Sequence, residues 1–244
     1  MNVLVAIPVY NEIKYVERVI CATRRYTDHL LVVDDGSTDG TSAVISQLQG
    51  LHVMSHLTNL GYGRTLIDIF NYAAAKRYAW VITMDCDLQH EPSCLPVFYT
   101  HIQDGLADVY SGSRYADVGA NIRAAPSDRM IINRRITSIL NRELGLRLTD
   151  SFCGFKAYRV GSLKSLSFSE SGYGFPLEFI IKAVCMGLTI HEIPVPLIYV
   201  DPGRCFGGQL DDPTVRLKHY MEIIERELRQ NAGRDARRSA CAQE

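Results

Sequence analysis

Between residues 3 and 111 the chain repeats one unit: a short apolar run, a polar turn, then a stretch whose apolar residues recur at helical spacing. Val3-Leu4-Val5-Ala6-Ile7 opens the first run, over residues 3–9, and Ile13, Val16, Val19 and Ile20 mark a helix over residues 12–25. Leu30-Leu31-Val32-Val33, residues 51–54, Trp80-Val81-Ile82-Thr83-Met84 and Asp108-Val109-Tyr110-Ser111 predict further strands. Helices over residues 43–48, 64–76 and 95–102 are predicted between them. Strands that alternate with helices pair in parallel, because a parallel neighbour is reached only through a crossover. Continuous apolar runs, without polar alternation, fit strands covered by helices on both faces. The chain is therefore read as α/β, with a mostly parallel sheet flanked by helices.

After Gly112 the rhythm breaks. An Arg-rich polar loop over residues 114–129 leads to a predicted helix over 131–144, a segment at 150–158, a helix over 176–186 and an apolar strand over 190–200. Pro194 and Pro196 inside that strand demand an edge or a bend, since proline donates no ladder hydrogen bond. Asp212-Pro213 is a helix start, and Leu217, Tyr220, Met221, Ile224 and Leu228 give the C-terminal helix one apolar face. That face packs on the body of the domain or on a second subunit, so a homodimer is one arrangement it allows; association with a membrane is the other reading. From Gly233 the sequence turns polar, as in a flexible tail. With 244 residues, 47% of them hydrophobic, the chain can bury one large core. We read a single domain over residues 1–232, made of halves at 1–112 and 113–208 and a C-terminal amphipathic helix at 211–232, followed by a tail at 233–244.

A net charge of −1 gives no global attraction to nucleic acid or to an anionic surface. The seven cysteines are odd in number and contain no C-x-x-C pair, which points to reduced thiols in a cytoplasmic protein and away from disulfides or zinc. No apolar stretch reaches the roughly 18 residues of a membrane-spanning helix. Attachment to the inner face of a membrane would then be peripheral.

Polar clusters sit where the first four strands end: Pro8-Val9-Tyr10-Asn11-Glu12, Asp34-Asp35-Gly36-Ser37-Thr38-Asp39, Asn59-Leu60-Gly61-Tyr62-Gly63-Arg64 and Asp85-Cys86-Asp87-Leu88-Gln89-His90. In an open parallel sheet the carboxyl edge is where ligands bind. Taken alone, the second cluster can be a helix cap and the third a glycine turn. The fourth is more demanding. Two carboxylates one residue apart concentrate negative charge that a cation must offset, and such oxygen ligands suit Mg²⁺ or Mn²⁺ together with nucleotide phosphates. The first turn lacks G-x-G-x-x-G, which argues against a dinucleotide-dependent oxidoreductase. A basic, Gly-rich triphosphate loop of the nucleotidyltransferase kind is also missing near the N-terminus.

The order Pro-x-Tyr-Asn-Glu, Asp-Asp-Gly-Ser-x-Asp, Asn-x-Gly, Asp-x-Asp-x-Gln-His resembles the inverting family 2 glycosyltransferases of GT-A fold. Within them it is similar to the polyprenyl-phosphate sugar transferases of the dolichol-phosphate mannose synthase group. Gly112-Ser113-Arg114-Tyr115, Asp150-Ser151-Phe152-Cys153-Gly154-Phe155-Lys156-Ala157-Tyr158 and Tyr173-Gly174-Phe175-Pro176-Leu177-Glu178 extend the resemblance across residues 3–200. It implies a Rossmann-like GT-A domain whose first half binds a nucleoside-diphosphate sugar, of GDP-mannose or UDP-glucose type, and whose second half binds the acceptor. It also implies a Mn²⁺- or Mg²⁺-dependent reaction in which an acceptor oxygen attacks the anomeric carbon from the face opposite the diphosphate.

By that resemblance Pro8, Tyr10, Glu12 and Asp35 hold the nucleoside, with Asp34, Asn59, Gly61 and Cys86 alongside. Asp85 and Asp87 hold the divalent ion against the diphosphate, and Gln89 offers a further oxygen ligand. Arg114, in the Gly-Ser-Arg motif, meets the phosphate of a polyprenyl-phosphate acceptor, with Arg123, Arg129, Arg134 and Arg135 as further cations. Glu178 takes the place of a general base, which a glycan or small-molecule hydroxyl acceptor would require. Its other reading is a carboxylate favouring a helix start. Asp150 either braces a tight turn or touches substrate. Arg204, in the Gly-rich segment 201–208, takes the place of a basic residue on a loop that closes over the diphosphate, although this segment departs from the family's Arg-x-x-Gly-x-Ser-Lys pattern. His90 reads as structural. The non-enzymatic alternative is a nucleotide-sugar-binding scaffold that has lost catalysis.

Overall fold

The computed structural model describes residues 2–116, 126–199 and 205–241, and for residues 232–241 the helix backbone alone. One sheet is built from β1 (Val3–Val9), β2 (Leu30–Asp34), β3 (His52–Ser55), β4 (Trp80–Thr83), β5 (Val109–Ser113), β6 (Lys156–Arg159) and β7 (Ile190–Pro194), in the order β3-β2-β1-β4-β6-β5-β7. The helices are α1 (Val16–Thr23), α2 (Thr41–Gln47), α3 (Tyr62–Ala75), α4 (Leu95–Asp104), α5 (Ser127–Leu144), the single turn α6 (Val160–Leu163), α7 (Phe175–Cys185) and α8 (Pro213–Cys241).

Residues of β1 alternate between two cores, as the two-residue period of a strand requires. Val3, Val5, Ile7 and Val9 pack with Val16, Val19 and Ile20 of α1, Ile45 of α2 and Phe98 of α4. Leu4 and Ala6 face the other way, onto Leu66, Ile69 and Phe70 of α3, Ile136 of α5, Phe179 of α7 and Ile224 of α8. The apolar face of α8 is therefore spent on the body of the domain. Its start matches the sequence: Asp212 accepts from the amides of Thr214 at 2.7 Å and Val215 at 3.1 Å, capping the first turn. The helix backbone runs on past Gly233 to Cys241.

Three elements depart from the sequence reading. The first helix begins at Val16, not at residue 12, because the amides of Asn11, Glu12 and Ile13 are claimed by Ser37, Thr41 and Asp39 of the following turn. The strand expected over 190–200 stops at Pro194, beyond which the two prolines cannot continue a ladder. The largest difference is β6, which runs antiparallel between β4 and β5, placing Ala157 opposite both Ile82 and Tyr110. The segment before it has already returned to the carboxyl edge, where Asp150 is bonded to Arg114, so the next strand must run away from that edge. The carboxyl ends of β1, β2, β4 and β5 consequently share one edge with the start of β6.

Candidate active site

Along that edge lies one cavity of about 340 Å³. One wall contains Pro8, Tyr10, Glu12, Asp35, Asn59, Gly61, Asp85, Cys86, Asp87 and Gln89, which the sequence reading had placed together. Its far wall contains Arg114, Arg129 and Arg216 among Phe152, Tyr173, Phe206 and Tyr220.

Asp35 organises that wall. Its carboxylate accepts from the amides of Leu60 and Gly61, both at 2.9 Å, and from His56 Nδ1 at 2.6 Å. One aspartate at the end of β2 thus pins the turn after β3. Two glycines make the turn feasible. Gly36, at φ +72, would drive a Cβ to 2.4 Å from the Thr58 carbonyl carbon, and Gly61, at φ +100, to 2.3 Å from the Ser171 oxygen. Asp34 is not part of the cavity, which corrects its assignment to the donor site. It is buried, and its carboxylate accepts from the Ser37 amide at 3.0 Å and from the Ser42 hydroxyl. It shapes the turn instead.

Asp85 leaves the end of β4 pointing into the cavity. Tyr62 donates its hydroxyl to Asp85 Oδ1 at 3.2 Å. Burial and the Asp85 charge push the Tyr62 phenol well above its ordinary pKa, so it stays a donor. The Asp85 amide in turn donates to His90 Nδ1 at 2.9 Å. Burial pulls that imidazole down while Asp85, Cys153 and Asp87 push it up, to about 9; a ring nitrogen that accepts an amide hydrogen nevertheless carries no proton, and the geometry decides for the neutral ring. Asp87 accepts from the Gln89 amide at 3.0 Å, which folds the loop back on itself. Two carboxylates and an amide oxygen on one wall form a hard donor set of the kind Mg²⁺ or Mn²⁺ accepts. Among the described residues no three His, Cys, Asp or Glu side chains could enclose a metal ion. A cation at Asp85 and Asp87 would need oxygens from a ligand, as Mg²⁺ ordinarily does.

On the far wall Arg114 is held by a two-pronged pair with Asp150, at 2.7 and 3.0 Å. Burial lowers Arg114, but Asp150 outweighs it and raises it well above its usual value. Burial raises Asp150, but Arg114 and Asn133 hold it well below the usual carboxylate range. Asp150 also accepts from Asn133 at 2.7 Å and from the Phe152 amide at 3.1 Å, and it does not line the cavity. Of its two sequence readings, the structure realises the bracing one.

Glu178 is corrected more sharply. Its carboxylate is fully buried outside the cavity and accepts from the Ser169 amide and hydroxyl, the Glu170 amide and Lys182. Those bonds lower its pKa against burial, and they leave it holding a loop instead of facing an acceptor. Arg204 and Arg123 lie outside the described residues. Arg134 and Arg135 are exposed on α5. Residues the sequence did not single out for the site are Tyr62, Tyr173, Phe206, Arg216 and Tyr220, the last of which was read only as part of the apolar face of the C-terminal helix. Tyr62 and Tyr173 lay within motifs that were read, but nothing local marked Arg216, one of several arginines on an amphipathic helix.

The description of glycosyl transferase family 2 matches residues 4–167. This chain belongs to that family. The enzyme is thus a glycosyltransferase, and its sheet and crevice are those of the GT-A fold. It is 30% identical over 202 residues, 79% of this chain and 76% of the relative, to polyprenol monophosphomannose synthase of Mycolicibacterium smegmatis. It is 29% identical over 231 residues, 90% of this chain and 94% of the relative, to undecaprenyl-phosphate mannosyltransferase of Micrococcus luteus. Among solved structures, glucosyl-3-phosphoglycerate synthase of Mycobacterium tuberculosis, in complex with Mn²⁺, UDP-glucose and phosphoglyceric acid, superposes with a TM-score of 0.70 at 21% identity, covering 93% of this chain and 79% of that one.

Proposed function

We propose that this glycosyltransferase moves a hexose, with inversion, from a nucleoside-diphosphate sugar to a polyprenyl phosphate. The observation that carries the acceptor is the far wall of the cavity: arginines set among aromatic rings fit an anionic head on an apolar chain. The polyprenol and undecaprenyl-phosphate enzymes to which the chain is similar support the same acceptor class. Base catalysis points the same way. Among the described residues the carboxylates lining the cavity are Glu12, Asp35, Asp85 and Asp87, all on the donor side, while Glu178 is locked elsewhere. A hydroxyl acceptor lacks its base there; a phosphate is already an anion and does not need one.

In this reading Pro8, Tyr10, Glu12 and Asp35 hold the nucleoside, beside the 59–61 turn and Cys86. Asp85 and Asp87, with Gln89 near, would hold Mn²⁺ or Mg²⁺. Such an ion supplies charge neutralisation for the departing nucleoside diphosphate. Tyr62 fixes Asp85 by its hydroxyl, and His90 fixes the Asp85 amide. Arg114, braced by Asp150, and Arg129 draw the acceptor phosphate toward the anomeric carbon from the side opposite the diphosphate. Arg204 is proposed to close over the donor. No helix among the described residues is long and apolar enough to cross a membrane. The lipid acceptor would then be met peripherally, where Ile131 and Val215 are exposed beside the cavity residues Ile132 and Arg216.

The test is direct. Purified enzyme is offered GDP-mannose or UDP-glucose, a short polyprenyl phosphate, and Mn²⁺, Mg²⁺ or a chelator. Metal-dependent formation of an acid-labile polyprenyl-phosphate sugar is expected with one donor. Metal-independent transfer, or transfer only to hydroxyl acceptors, would overturn the reading. Asp87→Ala should remove the metal-dependent thermal stabilisation by the matching nucleoside diphosphate, which by linkage amounts to about 2.7 kcal/mol at a hundredfold excess over Kd.

A further inference from the structure

Arg216 is 3% exposed, an uncommon burial for arginine. Its guanidinium meets three parts of the molecule. It forms an ion pair with Asp128 in the first turn of α5, donates to the Leu210 carbonyl at 2.8 Å, and stands over the Phe206 ring at 4.6 Å. Arg129, the neighbour of Asp128, stands over the same ring at 4.7 Å. Phe206 also meets Tyr173 edge-on, with centroids 5.4 Å apart. Two guanidinium groups therefore stand over one aromatic ring, and Arg216 holds both that ring and the residue adjoining Arg129.

Arginine in this place is physically expensive if packing were all it supplied, because a buried cation costs more than an apolar side chain of similar volume. Two like charges sharing one ring also repel. The ring's electron-rich faces and Asp128 offset part of that repulsion, and an anion entering the cavity would lower it further. Arg114 already has its own brace in Asp150. The shared Phe206 ring, held by Arg216, gives Arg129 a corresponding one. We propose that Arg216 is a positioning residue for the acceptor: through Phe206 and Asp128 it presents Arg129 to the acceptor's anionic group, and makes the start of α8 part of the acceptor site. This rests on the polyprenyl-phosphate reading above and adds to it a residue and an element.

The experiment compares Arg216→Lys, which keeps the charge but loses the planar fork, with Phe206→Leu, which keeps an apolar side chain but loses the ring. Steady-state kinetics with a short polyprenyl phosphate are paired with calorimetric titration of the nucleoside diphosphate and Mn²⁺. We expect each variant to raise the acceptor KM about tenfold, the size of one lost charged contact. Donor-side Kd should stay within about twofold, and the double variant should be little worse than either single one, since both act on Arg129. Unchanged acceptor KM in the folded variants, or an equal loss of donor binding, would overturn the assignment. Should Arg216→Lys fail to fold, Phe206→Leu carries the test with the same outcomes. If the unaltered enzyme does not turn over polyprenyl phosphate, the acceptor reading and this assignment fall together. If it does and the variants match it, this assignment falls alone.

Discussion

Gly154 shows how little room surrounds Asp85. A Cβ there would lie 2.5 Å from Asp85 Oδ2 and 2.7 Å from Oδ1, far inside van der Waals contact. The carboxylate is thus pressed between a glycine backbone on one side and the Tyr62 hydroxyl on the other. Gly154→Ala is expected to swing Asp85 out of line while leaving the strands intact, because the nearest atoms belong to a side chain and not to backbone. The proposed metal assignment makes that visible: nucleoside-diphosphate stabilisation by Mn²⁺ should fall in Gly154→Ala far more than the thermal midpoint of the free enzyme. An intact Mn²⁺-dependent shift would mean that Asp85 does not need this orientation. The role of Gly154 was hard to read in the sequence, where Asp-Ser-Phe-Cys-Gly-Phe was a motif but its partner stood far back in the chain. The carboxylates themselves were legible, since strand-end position and one-residue spacing are local properties.

At the scale of elements, the loop between α6 and α7 is a piece on which the sequence reading was silent, and it decides what Glu178 does. Glu178, in the first turn of α7, gathers Ser169 and Glu170 of that loop and pairs with Lys182 one turn on. Lys182 in turn lies 3.4 Å from the buried Glu227 of α8, so the loop, α7 and α8 share one charged cluster. The same loop sets the Ser171 carbonyl against Gly61 and Gly63 and carries Tyr173, which stacks on Tyr62 with centroids 5.8 Å apart. A carboxylate at a helix start looks the same in sequence whether it faces a cavity or its own loop, and only the path of the preceding residues separates the two. Glu178→Gln keeps the shape but removes the charge paired with Lys182, leaving that buried cation only Glu227 and the Ser167 carbonyl, and its NH2 cannot accept from one of the Ser169 and Glu170 amides. We expect a loss of stability of about 3 kcal/mol in urea titration, with kcat within a few-fold of the parent at a temperature where both are folded. A general base would instead cost about 10²–10⁴ in rate, and such a loss without destabilisation would return Glu178 to the chemistry.

For the whole molecule, the first half was legible because its strands and helices follow one another without interruption, and each polar cluster belongs to the strand just before it. The second half was legible in its helices but not in its strands, because their order is set by long-range bonds. β6 inserts antiparallel into the middle of the sheet, and Asp150 just ahead of it collects Arg114 from the end of β5, Asn133 from α5 and its own turn. That concentration makes Asp150 a term in global stability, with a defined dependence on pH. Its carboxyl is held well below its unfolded value, so the folded state is favoured wherever the unfolded carboxyl is ionised. The stabilisation is complete above the unfolded pKa of about 3.9 and is lost as pH falls toward the folded value, where both states are protonated. Asp150→Asn keeps the size and part of the hydrogen bonding but removes the titration. Thermal midpoints measured from pH 7 downward should show the variant well below the parent at neutral pH, with the gap constant to about pH 5 and narrowing below about pH 4. A gap that keeps its full size through that acid range would show that Asp150 contributes by shape and not by charge, and that the buried pair with Arg114 is not what ties the second half of the sheet to the first.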